Sequence, residues 1–116
     1  MALTLAKVRR LLAIDPADPL SRFALGKKLL EVAGSDDAPD VSAALTEAAE
    51  HLRVANATAP EHLATYHVLG QVLVRLGATA EAKEVLTRGV EHASEVTEGM
   101  GRDLAPLMRQ MLSELP

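Results

Sequence analysis

The stretch 66–89, YHVLGQVLVRLGATAEAKEVLTRG, decides the fold. Tyr66, Leu69, Leu73 and Leu76 recur at steps of three and four residues, one face of a helix. Gly77 closes that helix, and Thr79 is expected to cap the next. Val85, Leu86, Gly89 and Val90 then form a second apolar stripe. The reading is helix, tight turn, helix. Gly70 stands in the middle of the first helix, where glycine costs about 1 kcal/mol against alanine. Something must compensate for it, and close helix crossing does so.

The same pattern occurs earlier in the chain. A slide of 44 residues sets Pro16 on Pro60, Leu25 on Leu69, Gly26 on Gly70 and Leu29 on Leu73. It also sets Val8 on Leu52, Arg9 on Arg53 and Leu11 on Ala55. A slide of 34 sets Glu47, Ala48, Glu50 and Leu52 on Glu81, Ala82, Glu84 and Leu86. The two offsets differ by ten, so the repeat unit is 34 residues with ten inserted in its first copy, between Gly34 and Leu45. The paired glycines are expected to let a partner helix approach, with Ala48 and Ala82 offering small faces to meet them.

These residues carry a resemblance. Tyr66-x-x-Leu69-Gly70-x-x-Leu73, followed by Ala82-x-x-x-Leu86-x-x-Gly89, resembles the tetratricopeptide repeat, a 34-residue helix–turn–helix. Arg22-x-x-Leu25-Gly26-x-x-Leu29, then Ala48-x-x-x-Leu52-x-x-Ala55 and Pro60, resembles a first copy. Arg22 departs from the usual aromatic, and Ser94 stands where a closing proline is expected. The resemblance covers residues 4–94 and implies an all-α, TPR-like right-handed superhelix of antiparallel helix pairs, about six helices in all. One domain, 1–116, is expected. It divides into an N-terminal helix (1–15), a first repeat (19–60), a second repeat (61–96) and a C-terminal capping helix (102–116).

Local signals agree. Leu5, Val8, Leu11 and Leu12 give a helix over 3–14, stopped by Asp15-Pro16-Ala17-Asp18-Pro19. A second helix spans 19–33, with Gly34 as a left-handed cap. A third spans 39–57, with Pro39 in its first turn. Gly99 and Gly101 interrupt before a last helix over 103–115, where Pro106 is expected in the first turn. Leu104, Leu107, Met108, Met111, Leu112 and Leu115 make that helix strongly amphipathic.

Composition bounds the function. Apolar residues make up 48% of the 116, chiefly Ala, Leu and Val, with one Phe, one Tyr and no Trp. Net charge is −4 and the pI about 5.5, which argues against nucleic acid as a partner. No cysteine is present, which excludes disulfides and thiol chemistry and suits a reducing cytoplasm. Lys7, Arg9 and Arg10 interrupt the apolar N-terminus, so it does not read as a secretory signal. No run is long enough to span a membrane.

Candidate chemistry is sparse. Glu47 and His51 share a helix face at i, i+4 and are the best metal pair, though a solvated charged face accounts for them more simply. His62 and His67 lie five apart on different faces, and His92 stands between glutamates. Asp36, Asp37 and Asp40 lack the rest of a calcium loop and read as a polar helix start. No serine has a nucleophile-elbow context, and Gly99-Met100-Gly101 is too short to cradle phosphate. Lys7, Arg9, Arg10, Lys27 and Lys28 form the main basic concentration, read as a solvated face. No catalytic residue, metal or cofactor is expected.

The resemblance implies a concave surface lined by the first helix of each repeat, suited to a peptide or partner helix. Its candidate ligand-binding residues are Phe23, Lys27, Glu31, His67, Gln71 and Arg75, flanked by Leu20, Ala24, Ala64 and Val68. Phe23 and Val68 replace polar residues of the carboxylate clamp of some relatives, so that specificity does not carry over. The expected function is a non-catalytic protein-interaction scaffold. The alternatives are a structural unit forming a homodimer through its terminal helices, or a metal-binding regulator.

Overall fold

A computed structural model describes residues 4–34, 40–95 and 100–116; for 100–102 it describes the backbone alone. The fold is all-α. Among the described residues six helices follow one another: α1 (Leu5–Ile14), α2 (Pro19–Ala33), α3 (Val41–Thr58), α4 (Leu63–Leu76), α5 (Thr79–Ser94) and α6 (Met100–Glu114). Among the described residues there is no strand. Nor is any described helix long and apolar enough to cross a membrane.

The helix ends follow from side-chain chemistry. Thr4 accepts from the Lys7 N–H, Asp18 from Leu20, and Asp40 from Ala43, each meeting a donor that the first turn leaves unpaired. Pro19 takes the first position of α2, where its missing N–H costs nothing. Gly77 ends α4 at φ 78°, and Ala78 N–H reaches Leu73 O at 2.9 Å. That closure needs a left-handed residue, which glycine supplies without strain.

Four expectations are corrected. Gly34 ends α2 in a right-handed conformation, φ −81°, with its N–H still bonded back into the helix. Thr79 is the first residue of α5 rather than its cap, and Ala78 before it offers no side-chain bond. α6 begins at Met100, so Gly101 lies inside the helix instead of interrupting before it. Pro106 therefore falls in the interior of α6, and the bond its N–H would give residue 102 is missing. Pro39, Asp36, Asp37 and Gly99 lie outside the described residues.

The chain forms two compact units, residues 1–59 and 60–116, and the division falls where the first repeat ends. In the first unit α2 and α3 form an antiparallel hairpin and α1 packs on α2. Leu25, Leu29, Ala33, Leu45, Ala48, Leu52 and Ala55 fill the hairpin, with Val8 from α1. In the second unit α4 and α5 form the hairpin and α6 packs against both. Tyr66, Leu69, Val72, Leu73, Ala82, Val85 and Leu86 make its core, closed by Ala105 and Met108 of α6.

The two glycines are the pivots of these hairpins. A Cβ at Gly26 would lie 2.5 Å from Leu52 Cγ, and one at Gly70 would lie 2.5 Å from Leu86 Cδ2. Leu52 and Leu86 occupy the same repeat position and both are 0% exposed. Each leucine is thus a knob seated on bare backbone, close enough that even a methyl group would collide. The partner that meets the glycine is this leucine; Ala48 and Ala82, one turn earlier, are buried but are not the nearest contacts.

Gly89 is a third close approach. A Cβ there would lie 2.6 Å from Met108 Sδ and 2.7 Å from Tyr66 Cβ. Three helices meet at this one residue, and its repeat counterpart Ala55 is also buried.

Candidate functional site

Equivalence between the repeats extends to hydrogen bonds. Tyr66 donates its hydroxyl to Pro60 O at 2.6 Å. Arg22, 44 residues earlier, donates Nε–H to Pro16 O at 3.0 Å. The arginine that departs from the repeat pattern therefore keeps the tyrosine's bond, and adds a charge. In the second unit the Tyr66 ring also stacks on His92, with centroids 5.3 Å apart.

In the first unit that charge enters a network joining all three helices. Arg9 of α1 grips both oxygens of Glu47 on α3, at 2.7 and 3.0 Å. Glu47 Oε2 lies 3.2 Å from His51 Nε2, and His51 Nδ1 lies 3.2 Å from Arg22 Nη1. Arginine only donates, so Nδ1 accepts and the ring proton sits on Nε2, facing the carboxylate. Glu47 and His51 are thus neither a metal pair nor a merely solvated face. Glu47 is engaged by Arg9 and by His51 Nε2, and His51 Nδ1 by Arg22. No group of three or more potential metal-binding side chains occurs among the described residues.

The paired guanidinium holds the Glu47 carboxyl below its ordinary value of 4.5, and Arg9 is raised in return. The Glu47 contribution is complete above the ordinary carboxylate range and fades as pH falls through the lowered value. The side chains are 48% and 33% exposed, so the pair contributes at most about 1 kcal/mol. Glu47→Gln is expected to flatten the loss of stability as pH falls through and below the ordinary carboxylate range. Urea unfolding across that range checks it; an unchanged slope contradicts it.

Beside this network the first unit has an open cleft of about 310 Å³. Leu12, Ala13, Pro16 and Leu25 give it apolar walls, and Arg9, Arg22 and His51 a polar edge. Nothing in the local sequence marks it. Its one signal is Arg22 six residues after Pro16, where the second repeat has Tyr66 after Pro60.

The six residues expected to bind ligand form two strips, one on each unit. Phe23, Lys27 and Glu31 follow one another at four-residue steps along α2. Phe23 is half-buried, while Lys27 and Glu31 are exposed, with Glu31 paired to Lys28 at 3.2 Å. His67, Gln71 and Arg75 occupy the same steps on α4; His67 and Gln71 are half-buried and Arg75 is exposed. Burial pushes the His67 imidazole below its ordinary value of 6.5, so it is neutral at pH 7. Leu20 is 57% exposed beside the first strip, whereas Val68 is buried at 6% and is withdrawn from any surface.

The remaining candidates resolve simply. Asp40 is the α3 cap. Ser21 donates to Asp18, while Ser94 and Ser113 bond carbonyls of their own helices. Of the basic cluster, Arg9 and Lys28 are ion-paired, and Lys7, Arg10 and Lys27 are exposed. On the apolar face of α6, Met108 and Ala105 are buried, Leu104, Met111 and Leu112 are half-buried, as is Leu115 just past its end, and Leu107 is 48% exposed. In comparisons with known proteins, the chain matches no family model and no curated protein.

Proposed function

We propose that the chain is a tetratricopeptide-like interaction module of the cytoplasm, non-catalytic, which holds a segment of another protein along the first helix of its hairpins. The observation that carries this reading is the equivalence of the two hairpins. Each seats one leucine on one glycine, and each turns the same three positions of its first helix away from that seat. Core positions repeat because packing demands it. The outward strips differ instead: Phe23, Lys27 and Glu31 on one, His67, Gln71 and Arg75 on the other. Mixed apolar and polar side chains at i, i+4 and i+8 suit an extended segment or helix, with an apolar anchor and polar handles fixing its register.

Lys27 is the cleanest test, since it is exposed and its change spares the core. Wild-type chain, Lys27→Glu and the control Lys83→Glu are used as bait in native lysate. A protein retained by wild type and control but lost from Lys27→Glu is the expected result. Equal retention by all three contradicts the strip.

A further inference from the structure

The cleft beside α1 contains a cation, Arg22, that is in no ion pair among the described residues. Arg22 is half-buried, and its two hydrogen-bond partners are Pro16 O and His51 Nδ1. Glu47 is gripped by Arg9 on both oxygens. A partly desolvated guanidinium attracts an anion more strongly than one in open water.

We infer that this cleft binds a monocarboxylate carrying a compact apolar group, with the carboxylate on Arg22 and the apolar part against Leu12, Ala13, Pro16 and Leu25. One guanidinium with unspent donors selects a single carboxylate: Arg9 is already paired to Glu47, and Arg22 forms no ion pair among the described residues. Arg22 has spent Nε–H and one Nη1 donor, so the rest of its five-donor fork is left for a carboxylate. The walls are aliphatic, and 310 Å³ lies at the small end of ligand sites, which run from about 300 to 1,000 Å³. This inference does not rest on the strips of α2 and α4. Loss of partner capture on Lys27→Glu leaves it untouched.

The test uses the full chain and 4-methylpentanoate, with its uncharged counterpart 4-methylpentanamide. Backbone amides of Leu12, Ala13 and Leu25 and the Arg22 Nε–H are followed by NMR. The acid is expected to give saturable shifts at these sites, and the amide to bind about tenfold more weakly or less. Arg22→Gln abolishes the acid's preference, and Arg10→Gln, an exposed change on neighbouring α1, preserves it. Ala13→Trp keeps the guanidinium but fills the cleft, so it also loses binding and carries the test if Arg22→Gln does not fold. No saturable shift, equal binding of acid and amide, or full binding by Ala13→Trp overturns the inference. N-acetyl-alanyl-leucine separates the sources: tighter binding than the free acid points to polypeptide ends, weaker binding to free small acids, and either order upholds the carboxylate site.

Discussion

Leu86→Ala is expected to destabilise the protein by roughly 2–5 kcal/mol, the range for a fully buried leucine whose surroundings cannot collapse. Leu86 is 0% exposed and sits directly on the α4 backbone at Gly70. Truncation leaves bare helix at Gly70 facing a void, with no side chain at that position to fill it. Leu52→Ala, at the matching site over Gly26, is expected to cost a similar amount in the first unit. Urea unfolding followed by circular dichroism measures both. A loss below about 1 kcal/mol for either would mean that the leucine is not a knob held in place.

Gly89→Val is the second large effect. A first carbon at this position meets Met108 Sδ at 2.6 Å and Tyr66 Cβ at 2.7 Å. Met108 has flexible bonds, but it is 0% exposed, so it must be repacked among buried neighbours. The Tyr66 Cβ is one bond from the α4 backbone and cannot yield without moving the helix. Overpacking of this kind costs about 1–3 kcal/mol or more, which exceeds the gain of about 1 kcal/mol or less from replacing a helical glycine. The clash lies at the seat of α6, so hydrogen exchange along residues 103–114 is expected to quicken more than along α4 and α5. Unchanged protection in α6 would contradict the geometry at Gly89.

What the sequence discloses is uneven, for physical reasons. Helices and breaks are local: Asp18-Pro19 and Leu76-Gly77 announce ends because proline and a left-handed glycine act on their own neighbours. The pivots at Gly26 and Gly70 are legible because a mid-helix glycine is costly and recurs in the repeat. Which side chain fills that space is less legible, since Ala48 and Leu52 lie on the same face one turn apart and only the crossing angle decides between them. Gly34 and Thr79 mislead because several residues can end or begin a helix, and neighbouring backbone settles the matter. The candidate site divides the same way. The strips on α2 and α4 follow from the repeat. The Arg9–Glu47–His51–Arg22 network joins residues 38 and 29 positions apart, across three helices, which no local pattern encodes.

The hairpin of the second unit depends above all on Gly70 and Leu86 being fitted to one another. A double-mutant cycle with Gly70→Ala and Leu86→Ala, read by urea unfolding, tests that directly. In the wild-type background Gly70→Ala is predicted to destabilise, because its methyl strikes Leu86. In the Leu86→Ala background the same change is predicted to stabilise, by up to about 1 kcal/mol, because the methyl then fills empty space and favours helix. Additive effects, with Gly70→Ala having the same sign in both backgrounds, would contradict the seating of leucine on glycine on which the hairpin reading is built.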